Sequence, residues 1–382
     1  MAEKRLKIIQ MLPELNSGGV ERGTLEIGKY LVGKGHDSIV ISAGGRLVNE
    51  LETEGSRHIR LQVASKSPMT IKSSFSLKKI IEDERPDILH LRSRVPAWVA
   101  YLALKMIEPE KRPSVVTTFH GFHSVNPYSA IMASGEIVIA VSRIISEHIS
   151  ECYGTKRNIR IVPRGVDVSC FSADAVSEER KNAVRKQWQI DDSHSPLIML
   201  PARFTRLKGQ ELFIKALSEL KDKPWTAVFV GDHHENPHYV SELVSLASSY
   251  GIKDRMIFGG FVSDMPAALS ICDVAVSSSV RPEAFGRTAV EAMAMERPVV
   301  VPRIGGFEET VLDGITGLLY RPGDSSCLSE CLGLLLSSAE KRSQMGIAGR
   351  NRVKRYFTLD RMCRKTEEAY FTAISKKMKK NG

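Results

Sequence analysis

Two carboxylates set the question. Glu283 and Glu291 stand with seven residues between them in PEAFGRTAVEA, a segment framed by apolar runs at 273–279 and 299–301. Its order reads strand, loop, helix, strand. Pro282 and Gly286 break the chain into a tight loop, 288–295 is small or apolar and helix-forming, and Pro298 restarts a strand. Glu283 is therefore expected at the carboxyl end of a strand, where parallel α/β sheets bind ligands. Glu291 falls about a turn into the helix among apolar neighbours, and an unpaired carboxylate buried there costs several kcal/mol. Either it marks the solvated edge of an amphipathic helix, or both acids face one ligand at the helix N-terminus. Free N–H groups and the helix dipole favour a phosphate at that position. Carboxylates grip hydroxyls instead, as they grip ribose in dinucleotide folds. Phosphate, sugar and ribose hydroxyls together describe a nucleotide-sugar.

Three further groups could serve such a ligand. Arg203 and Lys208, in PARFTRLKGQE, follow an apolar run at 197–201 and precede a helix pattern at 211–220. Two cations there are either surface charge or the seat of a pyrophosphate, whose developing charge they would neutralise before reaction begins. Gly18-Gly19 follows the opening apolar run 6–12 and starts a helix pattern at 20–33, so it is either a plain turn or a place where backbone N–H groups approach a phosphate. His120 ends a strand pattern in TTFHG, where a lone histidine is structural or faces the ligand. No Asp-x-Asp motif is present to hold a metal, and no metal or other cofactor is expected.

These residues resemble the signature of retaining glycosyltransferases of family 4, which have the GT-B fold. Glu283 and Glu291 match its E-x7-E motif, Arg203 with Lys208-Gly209 its R-x4-K-G pair, and Gly18-Gly19 with Glu21-Arg22 its GG-x-E-R element. Glu309 in GGFEETV matches the acid of its GG-x-x-E loop, with Glu308 adjacent. Arg164-Gly165-Val166-Asp167 is similar to its N-G-V-D turn, with Arg replacing Asn. The wording PEAFGRTAVEA resembles the branch that builds lipopolysaccharide core, which Arg287 also matches. Glu296 stands where many relatives have Gly.

The resemblance implies sugar transfer from a nucleotide-diphosphate sugar to a glycan or lipid-linked acceptor, with anomeric configuration retained and no metal. It implies that Glu283 holds donor-sugar hydroxyls and Glu291 the ribose. Arg203 and Lys208 would hold the pyrophosphate, and His120 would face the sugar. Gly18, Gly19, Phe285, Gly286 and Arg287 complete the expected donor set. Two other readings are carried: a nucleotide-sugar 2-epimerase of the same architecture, and a non-catalytic nucleotide- or nucleic-acid-binding protein.

The elements that must position these residues alternate. Strand patterns at 6–12, 38–42, 59–63, 87–91, 114–120, 137–142 and 159–163 are followed, after a charged and Ser-rich stretch at 172–195, by others at 197–201, 226–231, 255–261, 273–279, 299–301 and 317–320. Alternation with helix patterns argues for parallel sheets. At 382 residues two domains are the natural expectation. The expected architecture is α/β, two facing Rossmann-like domains with a cleft between them: 1–172 on the acceptor side and 173–357 on the donor side. A helix at 358–382 would cross back to the first.

Composition is that of an ordinary globular protein, with no apolar run of membrane-spanning length. Six cysteines lack C-x-x-C spacing, so neither zinc nor a disulfide framework is indicated. A cytosolic protein with reduced thiols is expected. The net charge of +10 is uneven: 24 Lys+Arg against 18 Asp+Glu in 1–172, 23 against 23 in 173–357, and 7 against 3 in the tail. Without an aromatic-interleaved basic motif, nucleic acid is not the expected partner. An anionic membrane surface or an acidic lipid-linked substrate is, met through Lys66, Lys72, Lys78, Lys79 and the terminal lysines. A merely soluble basic surface is the alternative.

Overall fold

The structure is a computed structural model that describes residues 4–16, 18–64, 69–154, 158–190 and 195–381. It divides into two units, Met1–Gly165 with Leu359–Gly382, and Val166–Thr358.

The first unit is built on seven parallel strands, β1 (Lys7–Met11), β2 (Asp37–Ser42), β3 (Arg57–Arg60), β4 (Ile88–Leu91), β5 (Ser114–Phe119), β6 (Ile137–Ala140) and β7 (Ile159–Ile161), in the order β3-β2-β1-β4-β5-β6-β7. The inner strands ILHL and IVIA are buried at every position. Near-continuous apolar runs of this kind are what a parallel sheet covered on both faces demands. The edge strand β3 starts two residues earlier than its apolar pattern suggests. Its register on β2, Ile39 opposite Arg57, is supported by His58, whose Nε2 lies 2.8 Å from Ser42 Oγ.

The last helix, Leu359–Asn381, belongs to this first unit. Met362, Cys363, Tyr370 and Ala373 join Leu6, Ile8, Ile88, Val116 and Ile139 in one core. Polar ties fix its position. The Tyr370 hydroxyl lies 2.8 Å from Nδ1 of the buried His90, whose Nε2 is 2.7 Å from Thr118 Oγ1. The Leu6 N–H donates to His36 Nδ1 at 3.0 Å, so the His36 proton sits on Nε2 and is donated to Glu367 at 2.7 Å. Tyr30 donates to the other oxygen of Glu367 at 2.8 Å. The buried carboxylate is thus satisfied by two donors.

The second unit has six parallel strands, β8 (Leu197–Pro201), β9 (Thr226–Val230), β10 (Met256–Gly260), β11 (Val274–Val276), β12 (Val299–Pro302) and β13 (Gly317–Tyr320), in the order β10-β9-β8-β11-β12-β13. Phe213, Trp225, Phe229 and Tyr320 fill its core. All thirteen expected strand segments are strands. Each sheet reverses its order once, between β1 and β4 and between β8 and β11. Ligands of open parallel sheets bind at such a reversal, outside the carboxyl ends of the strands.

The change of unit comes at Gly165, earlier than the expected 172. Val166 donates its N–H to the Phe357 carbonyl at 2.9 Å, and Arg350 holds the Phe171 carbonyl and the Ser172 hydroxyl, so 166–172 pack with the second unit. Counted on the observed units, the first carries 31 Lys+Arg against 20 Asp+Glu and the second 23 against 24. Among the described residues no helix is long and apolar enough to cross a membrane.

Candidate active site

In the second unit the loops leaving β8 and β11 interlock. Ser278 Oγ donates to the Lys208 carbonyl at 2.8 Å, and the Val280 N–H donates to the Leu207 carbonyl at 3.0 Å. Gly209 lies in the left-handed region, φ +65°, and a Cβ added there would stand 2.0 Å from the Ser278 carbonyl oxygen. Only glycine permits that approach. The interlock brings Lys208 Nζ onto Glu283 Oε1 as an ion pair, and Ser279 Oγ donates to the same oxygen at 2.8 Å. Both partners remain about a quarter exposed, 27% and 28% of the side chain, so the pair is open to a ligand.

The loop after β12 supports Glu283 from behind. Glu283 pairs with Gly305 in a parallel bridge, and the Gly306 N–H donates to the Glu283 carbonyl at 2.7 Å. A Cβ on Gly305, itself at φ +66°, would lie 2.5 Å from that carbonyl. Glu309 follows on the short helix Phe307–Thr310 and is half-buried, while Glu308 is exposed.

Glu291 lies on the helix Arg287–Ala294, which starts after Gly286. Its side chain is buried and is paired with Arg287, whose Nε donates to Oε1 at 2.7 Å. The carboxylate therefore does not mark a solvated edge. Its counter-charge comes from one turn earlier on its own helix. Phe285 is buried against Phe357, ring centroids 5.6 Å apart. Arg203 is exposed and, among the described residues, in no ion pair. Its carbonyl accepts from Gln210 Nε2 at 2.8 Å, which ties its backbone to the start of the helix Gln210–Ser218.

In the first unit the helix Gly19–Gly33 begins directly after Gly18. The carboxylate of Glu21 folds back over this end, where a Cβ on Gly18 would be 2.6 Å from its Oε2. Glu21 thus lies against the amino end of this helix, in its first turn. Burial raises its pKa above the usual glutamate value. His120 follows β5, and its Nε2 is sealed from solvent without a hydrogen-bond partner. Burial first, then the charges of Arg92 and Arg164, hold its pKa well below the ordinary histidine value, so the ring is neutral near pH 7. Arg164 is buried, donates to the Gly19 carbonyl and lies 3.8 Å from Glu26.

Two residues at the sheet reversals escape a reading of the sequence. Ser279, which holds Glu283, is one serine in a run of three. Arg92, the residue directly after β4, is 3% exposed. The signal for Arg92 was its position beside the sheet reversal, which becomes visible only once the strand order is known.

Two Rossmann-like units, the first completed by a helix returning from the far end of the chain, are the GT-B architecture. The model for Glycosyltransferase Family 4 matches residues 17–169, and that for Glycosyl transferases group 1 matches 181–352. A crystal structure of a glycosyltransferase from Rickettsia africae ESF-5 is 33% identical, with 97% of this chain and 99% of that chain covered and a TM-score of 0.90. N-acetyl-alpha-D-glucosaminyl L-malate synthase of Bacillus anthracis is 26% identical over 97% of this chain and 98% of its own length. Anabaena HepE in complex with UDP-glucose shares the fold, with a TM-score of 0.81 at 22% identity over 95% of this chain and 99% of that chain. The chain belongs to the GT-B glycosyltransferases, family 4 in its first half and group 1 in its second.

Proposed function

We propose that this glycosyltransferase moves a sugar from a nucleotide-diphosphate sugar to a hydroxyl of a glycan or lipid-linked acceptor, with retention and without a metal. The process served would be synthesis of lipopolysaccharide core or another cell-surface polysaccharide. The observation that carries the reading is the ion pair of Lys208 with Glu283 at the β8/β11 reversal, backed by Gly305 and Gly306. Glu283, already an acceptor from Ser279, offers a fixed carboxylate to donor-sugar hydroxyls. Lys208 and Arg203 then face the pyrophosphate and stabilise the charge that grows on it as the leaving group departs. Glu291 takes the ribose, with Arg287 holding its charge near the helix start. His120, its ring neutral, orients the sugar. The glucose-bearing donor of the HepE complex supports a nucleotide-sugar as ligand class.

The acceptor's setting is an anionic membrane surface. Ile71 and Phe75 are 58% and 59% exposed on one face of the helix Met69–Glu84, which carries Lys72, Lys78 and Lys79. Tyr101 and Leu102 are exposed on the helix Arg94–Lys105, which packs against it, and Met106 is exposed just beyond its end. Apolar side chains ringed by lysines suit the boundary of an anionic leaflet. Lys66 lies outside the described residues. Two of the expected tail lysines turn inward instead: Lys376 binds Asn158 Oδ1 and Lys377 the Arg112 carbonyl. The surface then rests mainly on the helix, with Lys379 exposed in the tail.

A thermal-shift screen against UDP-, GDP- and ADP-sugars tests the donor reading, because a ligand of the native state raises apparent stability. A shift with one class that Lys208→Ala abolishes is expected. No shift with any of them would overturn it.

A further inference from the structure

The first unit has its own sheet reversal, between β1 and β4, and two features meet there. One is the amino end of the fifteen-residue helix Gly19–Gly33, which follows β1. The other is Arg92, which follows β4 and whose N–H donates to the Met11 carbonyl at the end of β1 at 3.0 Å. Its side chain is buried, and Nη1 donates to Gln10 Oε1 at 2.9 Å. Gln10 in turn donates to the Thr24 carbonyl at 3.1 Å, which links Arg92 to that helix.

The guanidinium is under-satisfied. Its Nε is sealed from solvent with no hydrogen-bond partner, and among the described residues no carboxylate is in ion-pair contact with it. Glu21 and Glu26 act on it only at longer range. Glu26 lies against Arg164, and Glu21 is folded over Gly18. A buried charge without a partner is strongly unfavourable, and arginine's planar fork matches a carboxylate or phosphate edge. The orphaned Nε2 of His120 stands at the end of β5, the next strand.

We propose that Arg92, with the amino end of the Gly19–Gly33 helix, binds an anionic group, phosphate or carboxylate, carried by the acceptor. The inference rests on the transferase reading above and names the acceptor's chemical class. The donor pyrophosphate has its cations in the second unit, at that unit's own reversal. The anion at Arg92 is a second one, and the excess of 31 basic over 20 acidic residues in the first unit suits an anionic substrate. Glu21 occupies the helix end that the anion approaches, so its carboxylate swings aside or takes up a proton on binding.

The test uses the full chain, with melting followed in inorganic phosphate against chloride at equal ionic strength, and separately with UDP. Wild type is expected to respond to both. Arg92→Met should bind phosphate at least tenfold more weakly while keeping the UDP response, and Lys208→Ala should do the reverse. Should Arg92→Met not fold, Arg92→Lys keeps the charge without the fork and should still weaken phosphate several-fold. Equal phosphate responses in wild type and the Arg92 variants, or none in wild type, overturn the site. Loss of the UDP response in an Arg92 variant overturns the acceptor assignment, because the anion is then the donor's. A wild type that answers phosphate through Arg92 but not UDP leaves this site standing and sinks the donor reading alone.

Discussion

Replacing Gly209 by Ala should cripple transfer without touching any group that meets a substrate. The new Cβ would sit 2.0 Å from the Ser278 carbonyl oxygen, and contacts under 3.0 Å are essentially never seen for a real Cβ. The two loops must therefore part by about 1 Å, a misplacement that can cost on the order of a hundredfold in rate. The left-handed backbone, φ +65°, adds about 1–2 kcal/mol against alanine. The parting stretches the bonds from Ser278 to Lys208 and from Val280 to Leu207, the same bonds that hold Lys208 against Glu283. Steady-state transfer should show kcat reduced about a hundredfold, and denaturant unfolding should show a native transition shifted to lower midpoint. A variant with kcat within threefold of wild type would refute the claim that this interlock sets the geometry of the pair.

Lys208→Ala should lose about a hundred- to a thousandfold in rate, the scale of one electrostatic stabiliser, and an unchanged kcat in a folded variant would reduce Lys208 to surface charge. Transfer should survive excess EDTA, whereas a strict need for added Mg²⁺ or Mn²⁺ would reject the metal-free mechanism. Acid should destabilise the protein well above the carboxylate range. Burial holds the pKa of His90 and His120 well below the ordinary value and that of His123 at about 4, so the unfolded chain takes up protons that the folded chain refuses as pH falls below about 6.5. For His90, 1% exposed, the loss reaches about 1.4 kcal/mol per pH unit, and equal urea midpoints at pH 7.5 and 5.5 would contradict it. Finally, co-sedimentation with anionic liposomes should fall steeply with salt and weaken in Phe75→Ser. Equal binding to neutral liposomes would leave the basic face as solubility charge.

The strands were legible because a parallel sheet buried on both faces needs unbroken apolar runs, and ILHL, IVIA and VVVP carry that requirement locally. Glu283 and Lys208 were legible through the elements they follow, each at the end of a strand. Their contact was not, since 75 residues separate them and only the β8/β11 adjacency brings them together. Arg92 was invisible for the same reason. One arginine in LRSR looks like any loop cation until β4 is known to lie beside β1. Glu296 shows the converse. The sequence flagged a glycine position filled by glutamate at a helix end, and the structure finds it at φ +59°, in the left-handed region, with its carboxylate 3.4 Å from Arg350.

The returning helix Leu359–Asn381 has a consequence for how the protein is made. The first unit's core needs Met362, Tyr370 and Ala373, and its buried His90 needs the Tyr370 hydroxyl. Those residues leave the ribosome only after all of Val166–Thr358 has been synthesised. At about 5–20 residues per second, the first unit waits roughly 10–40 s with part of its apolar face uncovered. The second unit, contiguous in sequence, can close during that wait. The half of the protein that is made first is therefore the half that finishes folding last, and a chain stalled before residue 359 exposes a patch that chaperones and proteases can recognise.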